Sequence, residues 1–132
     1  MIYLASPYRH PDPDMVRRRV KLTSFAVIKL AQRGFPIYSP VIHGHAIDME
    51  GRRSRRPVPS DQYWLDHGIE MLELCGEMWV LMLAGWQDSE GIKGELAACD
   101  KRRLNVLYLD HALNFVEPPS CQSLPVGRPT QG

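Results

Sequence analysis

The sequence predicts an α/β fold, a three-layer arrangement in which a parallel sheet of four to five strands carries helices on both faces. Three observations predict it. Short apolar runs with strand character recur at residues 2–5, 35–38, 78–83 and 105–109. Segments of helical period separate them. The run 78–83, MWVLML, is apolar throughout, as a central strand covered on both faces must be.

Ile2-Tyr3-Leu4-Ala5 reads as a buried strand that stops at Ser6-Pro7. Asp12 and Asp14 precede a long helix that ends before Gly34, with Val16, Val20, Phe25, Ile28, Leu30 and Ala31 near helical spacing. A second strand, 35–38, closes at Ser39-Pro40, and residues 41–59, with two prolines near their end, read as a long loop. Ser60 is the expected N-cap of a helix from Asp61 to about Cys75, whose buried side is supplied by Leu65, Ile69, Met71 and Leu72. After the strand 78–83 come a loop at 84–91, a helix to Arg103, and the strand 105–109. The order βαβαβαβ with right-handed crossovers gives a flavodoxin-like or Rossmann-like sheet. One domain spans residues 1–116, and 117–132 have the composition of a loose tail opening on one short edge strand.

At 132 residues a single core buries roughly two-thirds of the unfolded chain's surface, so folding needs neither disulfides nor a metal. Cys75, Cys99 and Cys121 form no CxxC pair, and their odd number argues against a disulfide framework and for a reducing, cytoplasmic setting. No run is long enough to span a membrane, and MIYLASPYRHPDPD lacks a targeting pattern. The formal charge of +1 hides an asymmetry. Residues 1–56 hold eleven Lys/Arg against four Asp/Glu, a net +7, and residues 57–132 hold five against eleven, a net −6. Such halves either pair with each other or frame an anion beside working carboxylates. The run Arg52-Arg53-Ser54-Arg55-Arg56 has no aromatic interleaving and belongs to no nucleic-acid module, so a solvated or small-anion role is expected, with no nucleic-acid partner.

Ligands of open parallel sheets bind beyond the carboxyl ends of the strands. The loops leaving those ends, at 6–13, 39–59 and 85–91, hold Ser6, Tyr8, Arg9, His43, His45, Asp88, Ser89 and Gly91. Ser89 lies where a strand hands over to a helix, so free N–H groups and the helix dipole favour a bound phosphate there. Glu95 follows in the first turn, where the dipole keeps a carboxylate ionised for nucleophilic or base work. The plainer alternative makes Ser89 an N-cap and Glu95 a complement to the dipole. Asp66 and Glu70, one turn apart, are candidates for a second acid or for a solvated acidic face. His43-Gly44-His45 with Asp48 matches no familiar zinc spacing, so no metal is expected and the histidines are read as ligand contacts. Trp79 and Met78 are core, whereas Trp86 in a loop offers a flat face to a nucleobase.

On Ile2-Tyr3-Leu4-Ala5-Ser6-Pro7-Tyr8, Tyr38-Ser39-Pro40-Val41-Ile42-His43 and Gly85-Trp86-Gln87-Asp88-Ser89-Glu90-Gly91 running to Glu95 and Ala98, the chain resembles the nucleoside 2-deoxyribosyltransferase-like superfamily. Within it, the similarity is to the small bacterial branch described as a domain of unknown function (DUF1937-like). The Ser-x-Gly-x-x-x-Glu arrangement looks like that of the 2′-deoxynucleoside 5′-monophosphate N-glycosidases more than the Asp-x-Gly of the transferases. The chain departs from the pattern at Cys75-Gly76-Glu77, where an Ala-Asp pair often opens the third strand.

The resemblance implies cleavage or transfer of the N-glycosidic bond of 2′-deoxynucleosides or their 5′-monophosphates. Glu95 would attack C1′ and carry the deoxyribosyl group, with Asp66, or alternatively Glu70, assisting the departing base. Ser89 would hold the 5′-phosphate or 5′-oxygen, with Ser6 and the Tyr8–Arg9 loop completing the pocket. It further implies a homodimer or higher homo-oligomer and no cofactor. A nucleotide-binding module without catalysis is the competing expectation, while a receiver-like domain lacks its paired acids after the first strand.

Overall fold

In the computed structural model, which describes residues 1–118, four strands form one parallel sheet in the order β2-β1-β3-β4. They are β1 (Ile2–Ala5), β2 (Ile37–Tyr38), β3 (Glu77–Leu81) and β4 (Asn105–Leu109). Helices α1 (Pro13–Gln32), α2 (Pro40–Arg53), α3 (Asp61–Cys75) and α4 (Glu90–Arg102) connect them, and Trp86–Asp88 form a 3-10 turn. The α/β class expected from the sequence is therefore the one observed. Register pairs Leu4 with Trp79 and Trp79 with Leu107, so the hydrophobic rows of the three longer strands run across the sheet.

Strand alternation divides the core in two. Ile2, Leu4, Trp79 and Leu81 face α1, where they meet Ala26 and Leu30, and Leu113 closes that layer. Tyr3, Ala5, Met78 and Val80 face the other way, toward Leu72 of α3 and Ile92, Ala98 and Cys99 of α4. Met78 and Trp79 are core, as their place in an apolar run predicts. Phe115 meets Leu109 in a single antiparallel bridge, the remnant of the expected edge strand, and all but residues 117 and 118 of the proposed tail lie outside the described residues.

One expectation needs correction. Residues 41–59 are not one loop, because Ser39 caps a helix by accepting from Ile42 N–H at 3.2 Å and Pro40 occupies its first turn. The buried stripe of α1 is Arg19, Thr23, Ala26 and Leu30, spaced by four, three and four residues, while Phe25 and Ile28 remain about half exposed. The period of the apolar residues marks the helix but not its buried stripe, the first two members of which are polar.

Leu30 is fully buried and Ile28 is not, which makes a paired test. Leu30→Ala is expected to cost about 2–5 kcal/mol in chemical denaturation. Ile28→Ala is expected to stay within about 0.5 kcal/mol of wild type.

Candidate active site

The carboxyl ends of β1 and β3, the central pair of the sheet, open into a cleft of about 540 Å³. Four segments wall it: the loop after β1 with Ser6, Tyr8 and Arg9; α2 with Val41, Gly44, His45 and Asp48; α3 with Asp61, Trp64, Leu65 and Gly68; and the start of α4. His67 lines it too, so the α3 residues, spaced by three, one, two and one, occupy one side of that helix turned to the cleft. This accounts for Leu65, which was expected in the core and is 42% exposed.

At the cleft floor the Tyr3 hydroxyl donates to Glu95 Oε2 at 2.5 Å. Tyr3 is 1% exposed, and its hydroxyl reaches Glu95 by passing Gly68. A Cβ on residue 68 would stand 2.9 Å from that oxygen, so α3 can approach β1 here only with glycine. Glu95 lies in the second turn of α4, beyond the reach of the dipole's strongest effect. Burial pushes its carboxyl up to about 7, and the bond from Tyr3 only partly opposes this. The expectation of a dipole-held anion is thus reversed: desolvation dominates. Burial also raises the Tyr3 phenol, with the Glu95 charge adding to the effect. Tyr38, whose ring centroid is 5.8 Å from that of Tyr3, is pushed up to about 12 by burial and by Cys75, and its hydroxyl has no partner among the described residues.

Around the rim, Ser89 caps α4 by accepting from Ile92 N–H at 3.2 Å, which leaves its own O–H free to donate into the cleft. Ser6 is buried and accepts from Thr23 Oγ1 at 3.1 Å. The Tyr8 hydroxyl is 2.9 Å from His45 Nδ1, and burial, then the Asp48 charge, raises its phenol. Arg9 lies over the Tyr8 ring and pairs with Asp61 at 2.6 Å, joining the loop after β1 to the start of α3. Beneath, the buried Arg19 of α1 donates to the Arg9 carbonyl at 2.8 Å and the Ala84 carbonyl at 3.2 Å, fixing the loop after β1 to the segment after β3.

The structure brings Glu95, Ser6, Tyr8, Arg9, His45, Asp88, Ser89 and Gly91 to one cleft. It does not bring Asp66, Glu70, His43 or Trp86 there. Asp66 is exposed and accepts from the Gln62 amide at 2.8 Å, and Glu70 is exposed as well. His43 stacks at 5.2 Å on His67, which itself lines the cleft, and no metal-binding group of three or more His, Cys, Asp or Glu occurs among the described residues. Trp86 packs on the Tyr108 ring at 5.8 Å instead of facing a ligand. Sequence reasoning missed Tyr3, Trp64 and Gly68, for which the single sign was a tyrosine in an otherwise aliphatic strand.

The chain is thus of the α/β class, a parallel-sheet domain with a partly buried carboxyl at the ends of its central strands. Within that class, the family described as Domain of unknown function (DUF1937) matches residues 1–111, and the chain belongs to it. No curated protein matches the chain. No helix among the described residues is long and apolar enough to cross a membrane.

Proposed function

We propose that the chain cleaves or transfers the N-glycosidic bond of 2′-deoxynucleoside 5′-monophosphates, as its resemblance to the nucleoside 2-deoxyribosyltransferase-like proteins implies. The observation that carries this reading is the Glu95 carboxyl, held by Tyr3 at 2.5 Å on the floor of a cleft. A carboxylate oxygen of Glu95 bonds to C1′ as the C1′–N bond breaks, and the bonding pair leaves with the base, which takes a proton from solvent water. Water, or a second base, then attacks C1′ and returns the carboxylate, as in retaining glycoside hydrolysis. Tyr3 holds the carboxyl in place and supplies a donor to its charged form. The acids that line the cleft besides Glu95 are Asp48, Asp61, Asp88 and Glu90. Asp66 would have to act from outside that lining.

Ser89 O–H, the first turn of α4 and Ser6 favour a 5′-phosphate over a 5′-hydroxyl. Incubation with deoxynucleosides and their monophosphates, followed by measurement of free base, tests the reading. Monophosphates are expected to be the better substrates. Ser89→Ala is expected to shrink that preference by about ten- to a hundred-fold, with little loss on nucleosides. Better cleavage of nucleosides would reject the phosphate assignment, and monophosphates that bind without cleavage would make the chain a nucleotide-binding module.

A further inference from the structure

Asp48 is 6% exposed and lines the cleft, yet its Oδ1 has no hydrogen-bond partner among the described residues. Withdrawing a carboxylate from water without a donor to receive is costly, and folding alone gives no return for it here. Aromatic rings line the cleft with it, those of Tyr8, His45 and Trp64, the last with a buried indole N–H that also lacks a partner among the described residues. Flat aromatic faces beside an unpartnered acceptor fit the edge of a heterocyclic base better than a sugar, which would present hydroxyls all round.

We propose that Asp48 is the residue by which the cleft selects its base, accepting from an exocyclic amino group and rejecting an oxo group at the same point. The proposal rests on the glycosidic reading above and adds the residue that sets its specificity. An N–H donor satisfies the buried oxygen. A carbonyl there places two acceptors face to face, and a site built for a donor discriminates strongly against a ligand without it.

Matched pairs test this. Adenine and hypoxanthine differ by an amino for an oxo group, as do cytosine and uracil, so calorimetry would compare dAMP with dIMP and dCMP with dUMP. Turnover is removed by using the Glu95→Gln protein. In at least one pair the amino member is expected to bind about ten-fold or more tightly than its oxo partner. Adding Asp48→Asn, whose amide can donate to an oxo group, should bring that ratio close to one. The same substitution is expected to leave the melting temperature unchanged or higher, because Oδ1 has no hydrogen bond among the described residues to lose.

Oxo members binding as well as amino members in both pairs would overturn the proposal. So would Asp48→Asn weakening all four ligands equally, which places Asp48 on the sugar or phosphate, or lowering the melting temperature while keeping the ratio, which makes it structural. If none of the four monophosphates binds, the glycosidic reading fails and the base assignment fails with it.

Discussion

Glu95→Gln is expected to abolish release of free base, by at least about a thousand-fold in kcat, while monophosphate binding stays within a few-fold of wild type. The amide keeps the size of the side chain and can still accept the Tyr3 hydroxyl, but it has no anionic oxygen to bond to C1′. Binding survives because the contacts expected to hold the ligand belong to other residues, Ser6 and Ser89 among them. Quantifying free base by chromatography, with calorimetry for binding, checks both halves. Near-wild-type turnover would remove Glu95 from the mechanism, and loss of binding together with turnover would make it a structural residue.

Acidity gives the second large effect. Because burial sets the Glu95 carboxyl at about 7, and the nucleophile must be ionised, kcat/KM is expected to rise with pH through about 7 and level off above it. At pH 5, about two units lower, roughly one enzyme molecule in a hundred carries the anion, so kcat/KM falls about a hundred-fold. Stability has the opposite sign. The folded state holds this proton more tightly than the unfolded state, where the group returns to its ordinary 4.5. The contribution is complete below that value and is lost as pH rises through about 7, by on the order of 3 kcal/mol. Glu95→Gln should not share the loss, so its melting temperature relative to wild type should rise between pH 5 and pH 8. A pH–rate profile flat from 5 to 8 would contradict both statements.

The strands and three of the four helices are legible in the sequence because they follow simple periods and end on clear signals, such as Ser60 before α3 and the apolar run that contains β3. Helix α2 is not. Its start is written in Ser39-Pro40, but Gly44, Gly51 and the histidines hide any amphipathic period. Gly51 is there for contact, since a Cβ would meet Val58 Cγ1 at 2.7 Å where the chain folds back over the helix. The sequence cannot express that return. Glu95 and Ser89 were recoverable from local chemistry, since a serine entering a helix with a carboxylate six residues on is a visible pattern. Tyr3 and Gly68 were not, because their role exists only where β1, α3 and α4 converge. Asp66 illustrates the same gap from the other side: its position is one residue from Leu65, which lines the cleft, and that one step of helical rotation carries its side chain to the exposed face.

Arg19 has a consequence for how wide the cleft can be. A guanidinium is a rigid plane, and this one bridges the Arg9 and Ala84 carbonyls, so the distance between the loop after β1, a wall of the cleft, and the segment after β3 is set by the span of a single planar group. Lysine, a point charge on a flexible stem, cannot bridge both carbonyls with the same fixed geometry. The gauge of the opening is therefore held by a residue of α1 that does not itself line the cleft, and exchange at position 19 would alter which ligands fit that corner while every lining side chain stayed the same.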